Sequence, residues 1–78
     1  MGNLSTDIVE EIRQEVQDLL KKHHIKWINF EIWETSDGFL VEIETPDIKD
    51  HMEGIFLSRK LEEELKDPLV TLSILPAE

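Results

Sequence analysis

The stretch INFEIWETSDGFLVEIE, from Ile28 to Glu44, decides the fold that we predict for this chain. Apolar and polar residues alternate along both of its arms, as expected of two strands that each bury one face. Between the arms, Asp37 can bond its own backbone and Gly38 can take a positive φ, which is typical of a tight turn. The stretch therefore predicts a β-hairpin. Its inward residues are Ile28, Phe30, Ile32, Phe39, Val41 and Ile43.

The register of the hairpin follows from its turn. With a four-residue loop over 35–38, Ile32 faces Val41 and Phe30 faces Ile43, so both arms present their apolar side chains to the same side of the sheet. Pattern and turn therefore predict the same pairing.

An amphipathic helix is predicted before the hairpin, from Asp7 to about Lys22. Asp7 with Glu10 makes an acidic variant of the helix-capping signature, and Lys21 and Lys22 in the last turn suit the helix dipole. Its apolar stripe consists of Ile8, Ile12, Val16 and Leu19, widened by Val9 and Leu20.

A second helix is predicted after the hairpin, and its start is open. Pro46 suits a first helical position, whereas Asp50 with Glu53 gives another capping signature. Gly54 lowers helix propensity near this start by about 1 kcal/mol, and a short strand over 55–57 is an alternative. The clearest apolar stripe of the helix is Leu57, Leu61 and Leu65.

The last segment, Leu69 to Leu75, predicts a third strand that Pro76 ends. Its inward residues are Val70, Leu72 and Ile74. The order helix-strand-strand-helix-strand predicts an α+β two-layer sandwich, with a three-stranded mixed sheet and both helices on one face. The connection through the second helix makes the second and third strands parallel.

A chain of 78 residues predicts a single small domain over 1–78, with residues 1–6 flexible. Eighteen acidic residues against eight basic ones give a formal net charge of -10. Such a surface repels phosphate backbones and lacks a basic stripe, which argues against nucleic acid as a partner.

The cysteine count is zero, which excludes disulfides and thiolate metal sites and fits a reducing compartment such as the cytoplasm. No apolar run approaches the roughly 18 residues of a transmembrane helix, so we expect no membrane insertion by this chain. Gly2 and Thr6 match a loose myristoylation template, but no polybasic patch supplies a second membrane signal.

The uncovered face of the predicted sheet carries a candidate interface. Trp33 and Leu40 lie opposite each other there, with Trp27 placed on the same side, and Trp is enriched among binding anchors. Glu31 directly opposite Glu42 indicates a basic partner or a shared cation. The alternative is that Trp33 and Leu40 form only a stabilising cross-strand pair, while Trp27 packs under the first helix.

A candidate metal site consists of His51 with Asp47 and Asp50, because imidazole and carboxylate ligands at one helix start suit zinc or a similar divalent cation. The alternative is that these residues only cap the helix and face solvent. His23 and His24 are adjacent, so their side chains diverge and do not chelate one ion well.

Catalytic patterns are missing from the sequence. There is no nucleophile near a plausible base, no glycine-rich phosphate loop and no HExxH motif. The consecutive carboxylates Glu62, Glu63 and Glu64 indicate a solvated helix face. We therefore expect a non-enzymatic protein.

The segment from Ile28 to Pro76 resembles the cytoplasmic C-terminal domain of cation diffusion facilitator metal transporters, in element order, in lengths and in the run Asp50-His51-Met52-Glu53. In that family a histidine near the start of the second helix often binds the divalent cation, and His51 falls at the matching place. The family's ligands near the end of the last strand have no counterpart over 73–76.

Two functions follow as hypotheses. The first is a regulatory module, such as a cation-transporter cytoplasmic domain, that self-associates as a homodimer through the uncovered sheet face. The second is a free-standing acidic adaptor or inhibitor that binds a basic protein surface through its carboxylates.

Overall fold

The structure, a computed structural model, describes residues 4–77, and it describes side chains from residue 7 onward. The elements are α1 (Leu4–Lys22), β1 (Asn29–Thr35), β2 (Gly38–Thr45), α2 (His51–Leu65) and β3 (Val70–Pro76). The predicted order and the α+β class are confirmed. None of the helices in the described range is long and apolar enough to cross a membrane.

Strand β2 lies at the centre of the sheet, with β1 antiparallel on one side and β3 parallel on the other. The predicted mixed sheet is therefore confirmed. Strand β3 lies one residue later than predicted, because Pro76 still pairs with Thr45. A proline is tolerated there because β3 is an edge strand, where a missing N–H interrupts no second ladder.

The hairpin has the predicted register, with Ile32 opposite Val41. Its loop is shorter than predicted, because Thr35 and Gly38 are themselves paired and only residues 36–37 turn the chain. Gly38 has a φ of 149°, and a Cβ added there would lie 2.1 Å from the carbonyl oxygen of Leu69. Both the backbone conformation and the close approach therefore require glycine.

The core lies between the two helices and one face of the sheet, as predicted. Strand alternation places the inward residues of β2 and β3 against the buried stripe of each helix. The buried apolar residues are Ile12, Val16, Leu20, Ile25, Val41, Ile43, Ile48, Leu61, Val70, Leu72 and Ile74. Half-buried residues pack around them, namely Leu19, Trp27, Phe30, Ile32, Phe39, Leu57 and Leu65.

Two residues predicted for the core are exposed: Ile8 keeps 46% of its surface accessible and Ile28 keeps 61%. Burial along α1 begins only at Ile12, so the first turns of the helix lie outside the core. Ile28 precedes β1 and therefore does not share the alternation of that strand. Both predictions were wrong because the apolar pattern continues past the residues of the helix and of the strand that pack against the core.

Helix α1 begins at Leu4, so Asp7 lies in its first turn and is not the capping residue that the sequence predicted. Residues 4–6, which the sequence analysis expected to be flexible, therefore belong to the start of α1. Residues 1–3, with Gly2 of the myristoylation pattern, lie outside the described range.

The end of α1 closes with two backbone hydrogen bonds. His24 takes the left-handed conformation (φ 59°), its N–H donates to Lys21, and the N–H of Ile25 donates to Leu20 at 2.8 Å. This pattern is a Schellman motif, in which the residue after the left-handed one packs back onto the helix. It brings Ile25 into the core, which the sequence analysis missed.

Helix α2 begins at His51, with Asp50 as its N-cap. The N–H of Glu53 donates to Asp50 Oδ1 at 2.9 Å, which confirms the capping signature and excludes a start at Pro46. Residues 55–57 are helical, so the alternative of a short strand was wrong.

Helix α2 closes the outer edge of β3. The N–H of Leu72 donates to Glu62 Oε2 at 2.7 Å, and the N–H of Ile74 donates to Ser58 Oγ at 2.9 Å. At Gly54 the helix backbone comes so close that an added Cβ would lie 2.1 Å from the carbonyl oxygen of Ile74. Glycine is therefore needed where propensity alone disfavours it.

The substitution Gly54→Ala tests this close approach. Despite a gain in helix propensity of about 1 kcal/mol, we expect the free energy of unfolding to fall by about 2 kcal/mol or more, because the new methyl group forces α2 away from β3. Urea melts measure the change. Lys60→Ala, at an exposed position of the same helix, should change it by less than about 0.5 kcal/mol. A Gly54→Ala protein as stable as wild type would contradict the packing described.

The two helices are also linked near their C-terminal ends. Lys22 Nζ lies 3.1 Å from Glu64 Oε1, and His23 Nε2 lies 2.7 Å from Glu64 Oε2. The hydrogen bond from Lys22 lowers the pKa of Glu64 below its ordinary value of 4.5, and the contact with His23 lowers that pKa further. A carboxyl whose pKa is depressed by folding stabilises the fold above its unfolded pKa, and this contribution disappears as pH falls through the folded pKa.

Glu64→Gln should therefore lower the urea midpoint at neutral pH, and the difference from wild type should shrink as pH falls below about 4.5. Melts at about pH 7 and about pH 2.5 measure both limits. Glu63→Gln, which removes the same charge from the next position, is the control for net charge and should not show this loss of stability near neutrality. A constant difference for Glu64→Gln at both pH values would rule out the ionic link.

Candidate functional site

The face of the sheet opposite the helices carries nine residues in three registered rows, which we call the free sheet face. They are Asn29, Glu31 and Trp33 on β1, Leu40, Glu42 and Glu44 on β2, and Thr71, Ser73 and Leu75 on β3. None of the nine is basic. Their placement follows from strand alternation, since the neighbouring residues of the same strands face the core.

The row at the hairpin end of this face consists of Trp33, Leu40 and Thr71, and it holds the largest apolar side chain of the face. Trp33 lies opposite Leu40, as predicted, and keeps 53% of its surface accessible, whereas Leu40 on the central strand is half-buried. A large aromatic ring beside an aliphatic side chain is a typical anchor for a protein partner. The pair therefore offers an apolar contact at the hairpin end of the face.

The other two rows hold three carboxylates. Glu31 lies directly opposite Glu42, as predicted, and Glu44 accepts a hydrogen bond from the side-chain amide of Asn29. Directly opposed side chains have Cβ atoms about 4.5–5.5 Å apart, so the two paired glutamates repel each other. A concavity of about 260 Å³, which Leu75 also lines, lies among them.

Trp27 does not belong to this face, so its inclusion in the interface was wrong. It is half-buried against the core, with its ring centroid 6.0 Å from that of Phe30. The guanidinium of Arg13 on α1 lies 5.7 Å from the centroid of the same Phe30 ring. Trp27 precedes the first residue of β1, so the alternation of the strand does not set its direction. The alternative interpretation, packing near the first helix, agrees with these contacts.

The predicted metal ligands are not brought together as a site. Asp47 Oδ2 accepts the N–H of Lys26 at 2.7 Å, and Asp50 caps α2 through Glu53. His51 is exposed in the first turn of α2. Within residues 4–77, no three His, Asp or Glu side chains are grouped so that they could hold a metal ion. Both aspartates thus have structural roles that satisfy backbone donors.

A second apolar surface was missed by the sequence analysis. Met52, Ile55 and Phe56 on α2 are 61%, 49% and 69% exposed, and they lie on one side of the helix by their spacing of three and four. The sequence analysis considered only the leucine stripe of α2. The signal was present in the run Ile55-Phe56-Leu57, because only Leu57 belongs to the stripe that packs against the core and the two residues before it do not.

Comparisons of the chain with protein families, with curated proteins and with solved structures find no match. The resemblance to the transporter domain thus stays a prediction from element order and one local run. The geometry of the free sheet face is the remaining basis for a function.

We expect zinc, magnesium and calcium to give similar, small increases in melting temperature, because eighteen acidic residues attract any divalent ion weakly. Thermal melts of wild type and His51→Ala at equal ion concentrations measure this. An imidazole site prefers zinc and must lose its proton to bind it. A zinc-specific increase that disappears in His51→Ala would therefore contradict the expectation.

Proposed function

We propose that this protein is a non-enzymatic binding module, whose free sheet face binds a segment of a partner protein that contains lysine and arginine. The observation that carries the proposal is the exposed Trp33 on a face with three carboxylates and no basic residue. The aromatic ring supplies apolar contact area, and the carboxylates supply charge complementary to the partner.

The paired glutamates explain why a cationic partner fits. Among the described residues, the ion pairs are Glu10 with Arg13 and Glu64 with Lys22 and His23, so neither Glu31 nor Glu42 takes part in one. Their mutual repulsion is relieved when a cation lies between them. A lysine or arginine side chain that lies over this pair therefore gains more electrostatic attraction than it would over a single surface carboxylate.

A second copy of the chain, the other partner considered for this face, fits less well. In a two-fold symmetric dimer the same surface meets itself, so the three carboxylates of one copy would face the three of the other. The formal charge of -10 on each copy adds to that repulsion. Charge complementarity therefore favours the acidic adaptor over the homodimer.

The test is to titrate the protein with a basic peptide that has lysine or arginine at every second position. Tryptophan fluorescence and calorimetry measure the binding. We expect affinity to fall steeply as salt rises from about 50 to about 500 mM, because exposed charges are screened within a few ångströms at high ionic strength. Trp33→Ser should weaken binding by about tenfold or more, whereas Phe56→Ser, which removes a ring of similar exposure on α2, should not.

A charge-matched pair of variants separates a local site from net charge. Glu31→Gln with Glu42→Gln should weaken binding by about tenfold, and Glu11→Gln with Glu15→Gln on α1 by no more than about twofold. Equal losses of affinity in the two double variants would mean that only net charge matters and would contradict the proposal. Light scattering completes the test: a wild-type dimer that Trp33→Glu converts to monomer would favour self-association instead.

A further inference from the structure

The two edges of the sheet differ in how they are protected. On β3, the edge is covered by α2, whose residues Ser58 and Glu62 accept the N–H groups of Ile74 and Leu72. Ser58 also donates to the carbonyl of Gly54 at 2.7 Å, which holds its hydroxyl in place. No further strand can pair with β3 without displacing the helix.

The edge of β1 has no such cover in the part of the chain that the structure describes. The strand pairs with β2 only, and its register over 29–35 is continuous. An unpaired edge presents a row of N–H and C=O groups that can pair with another chain. Natural proteins block such edges with charged side chains, especially lysine, with proline or with a bulge. Over 29–35 there is no lysine, proline or bulge, and the charged side chains are the glutamates Glu31 and Glu34.

The charges along β1 select what can pair with it. Glu31 lies on the free sheet face, Glu34 lies one residue beyond Trp33, and both are exposed. Two glutamates in a seven-residue edge repel an acidic strand, including a second copy of β1, and attract a basic one. The edge is thus open to addition of a strand but selective by charge.

We propose that an extended segment of the partner, with lysine or arginine at alternate positions, adds to β1 as a fourth strand. This inference rests on the proposed function and specifies how the partner binds. In an added strand every second side chain points to the free sheet face, where it meets Glu31 and Trp33. Main-chain hydrogen bonds then supply affinity, while the alternate side chains supply specificity.

The test uses two N-methylated forms of the same basic peptide. In a strand, alternate N–H groups point to the neighbouring strand and the others point away. We expect methylation of one alternate set to weaken binding by about tenfold or more and methylation of the other set by no more than about twofold. Calorimetry with the wild-type protein measures both, so no variant needs to fold.

The outcomes separate the two proposals. A basic peptide that binds equally well with either set methylated would overturn strand addition while leaving the free sheet face as a binding site. Equal, large losses for both sets would also overturn it, because a single added strand uses only one set. A peptide that does not bind at all would overturn the proposed function, and strand addition with it.

Hydrogen exchange supplies a second measurement on the protein itself. Binding by strand addition should slow amide exchange in β1 by about tenfold or more, because edge N–H groups gain partners. The amides of Leu72 and Ile74, already bonded to α2, should change little. Protection that appears at β3 or across the hairpin loop, and not along β1, would contradict the inference.

Discussion

The close approach of helix α2 to strand β3 at Gly54 is the contact on which the arrangement of the other elements depends. It lets the helix backbone come against the carbonyl of Ile74, so that Ser58 and Glu62 reach the N–H groups of the edge strand. Backbone donors at a buried edge need partners, and these two side chains provide them. Because Leu61 lies on the same helix, the contact also holds one wall of the core in place.

This arrangement leaves one face and one edge of the sheet open. The two helices cover one face, and residues 4–77 form no further helix or strand that covers the other. Strand β3 is shielded by α2, so the open edge is that of β1, beside the carboxylates and Trp33. The uncovered surface is therefore both acidic and capable of backbone pairing, and these two properties together favour an extended basic partner over a second copy.

Local sequence patterns predicted the helices and strands well over the residues that pack against the core. The alternation of Phe30 and Ile32 with polar residues gave the correct hairpin register. The sequence left the start of α2 open between two alternatives, and the one marked by Asp50 with Glu53 is the start observed. The same reasoning was wrong at the ends of elements. Ile8 and Ile28 continue an apolar pattern but lie where no second layer covers them, and periodicity carries no information about where packing stops.

The candidate site was predicted in part. Trp33, Leu40, Glu31 and Glu42 occupy the face and the pairings expected of them, since alternation and register fix both. Trp27 was misplaced, because the direction of a residue outside a strand depends on the contacts of the chain that surrounds it. Met52 and Phe56 were missed for a related reason: whether an apolar helix residue is covered depends on the position of the helix over the sheet.

The sequence by itself thus determined the order of elements, the hairpin register, the parallel pairing of the last strand and the acidic character of the uncovered face. These properties depend on interactions between residues close in the chain, or on composition, and they leave a periodic signal. Only the tertiary structure decided which sheet edge is closed, why residue 54 is glycine and which tryptophan is exposed. Each of these depends on where α2 or the α1–β1 connection lies in space, which is set by packing between residues distant in the chain.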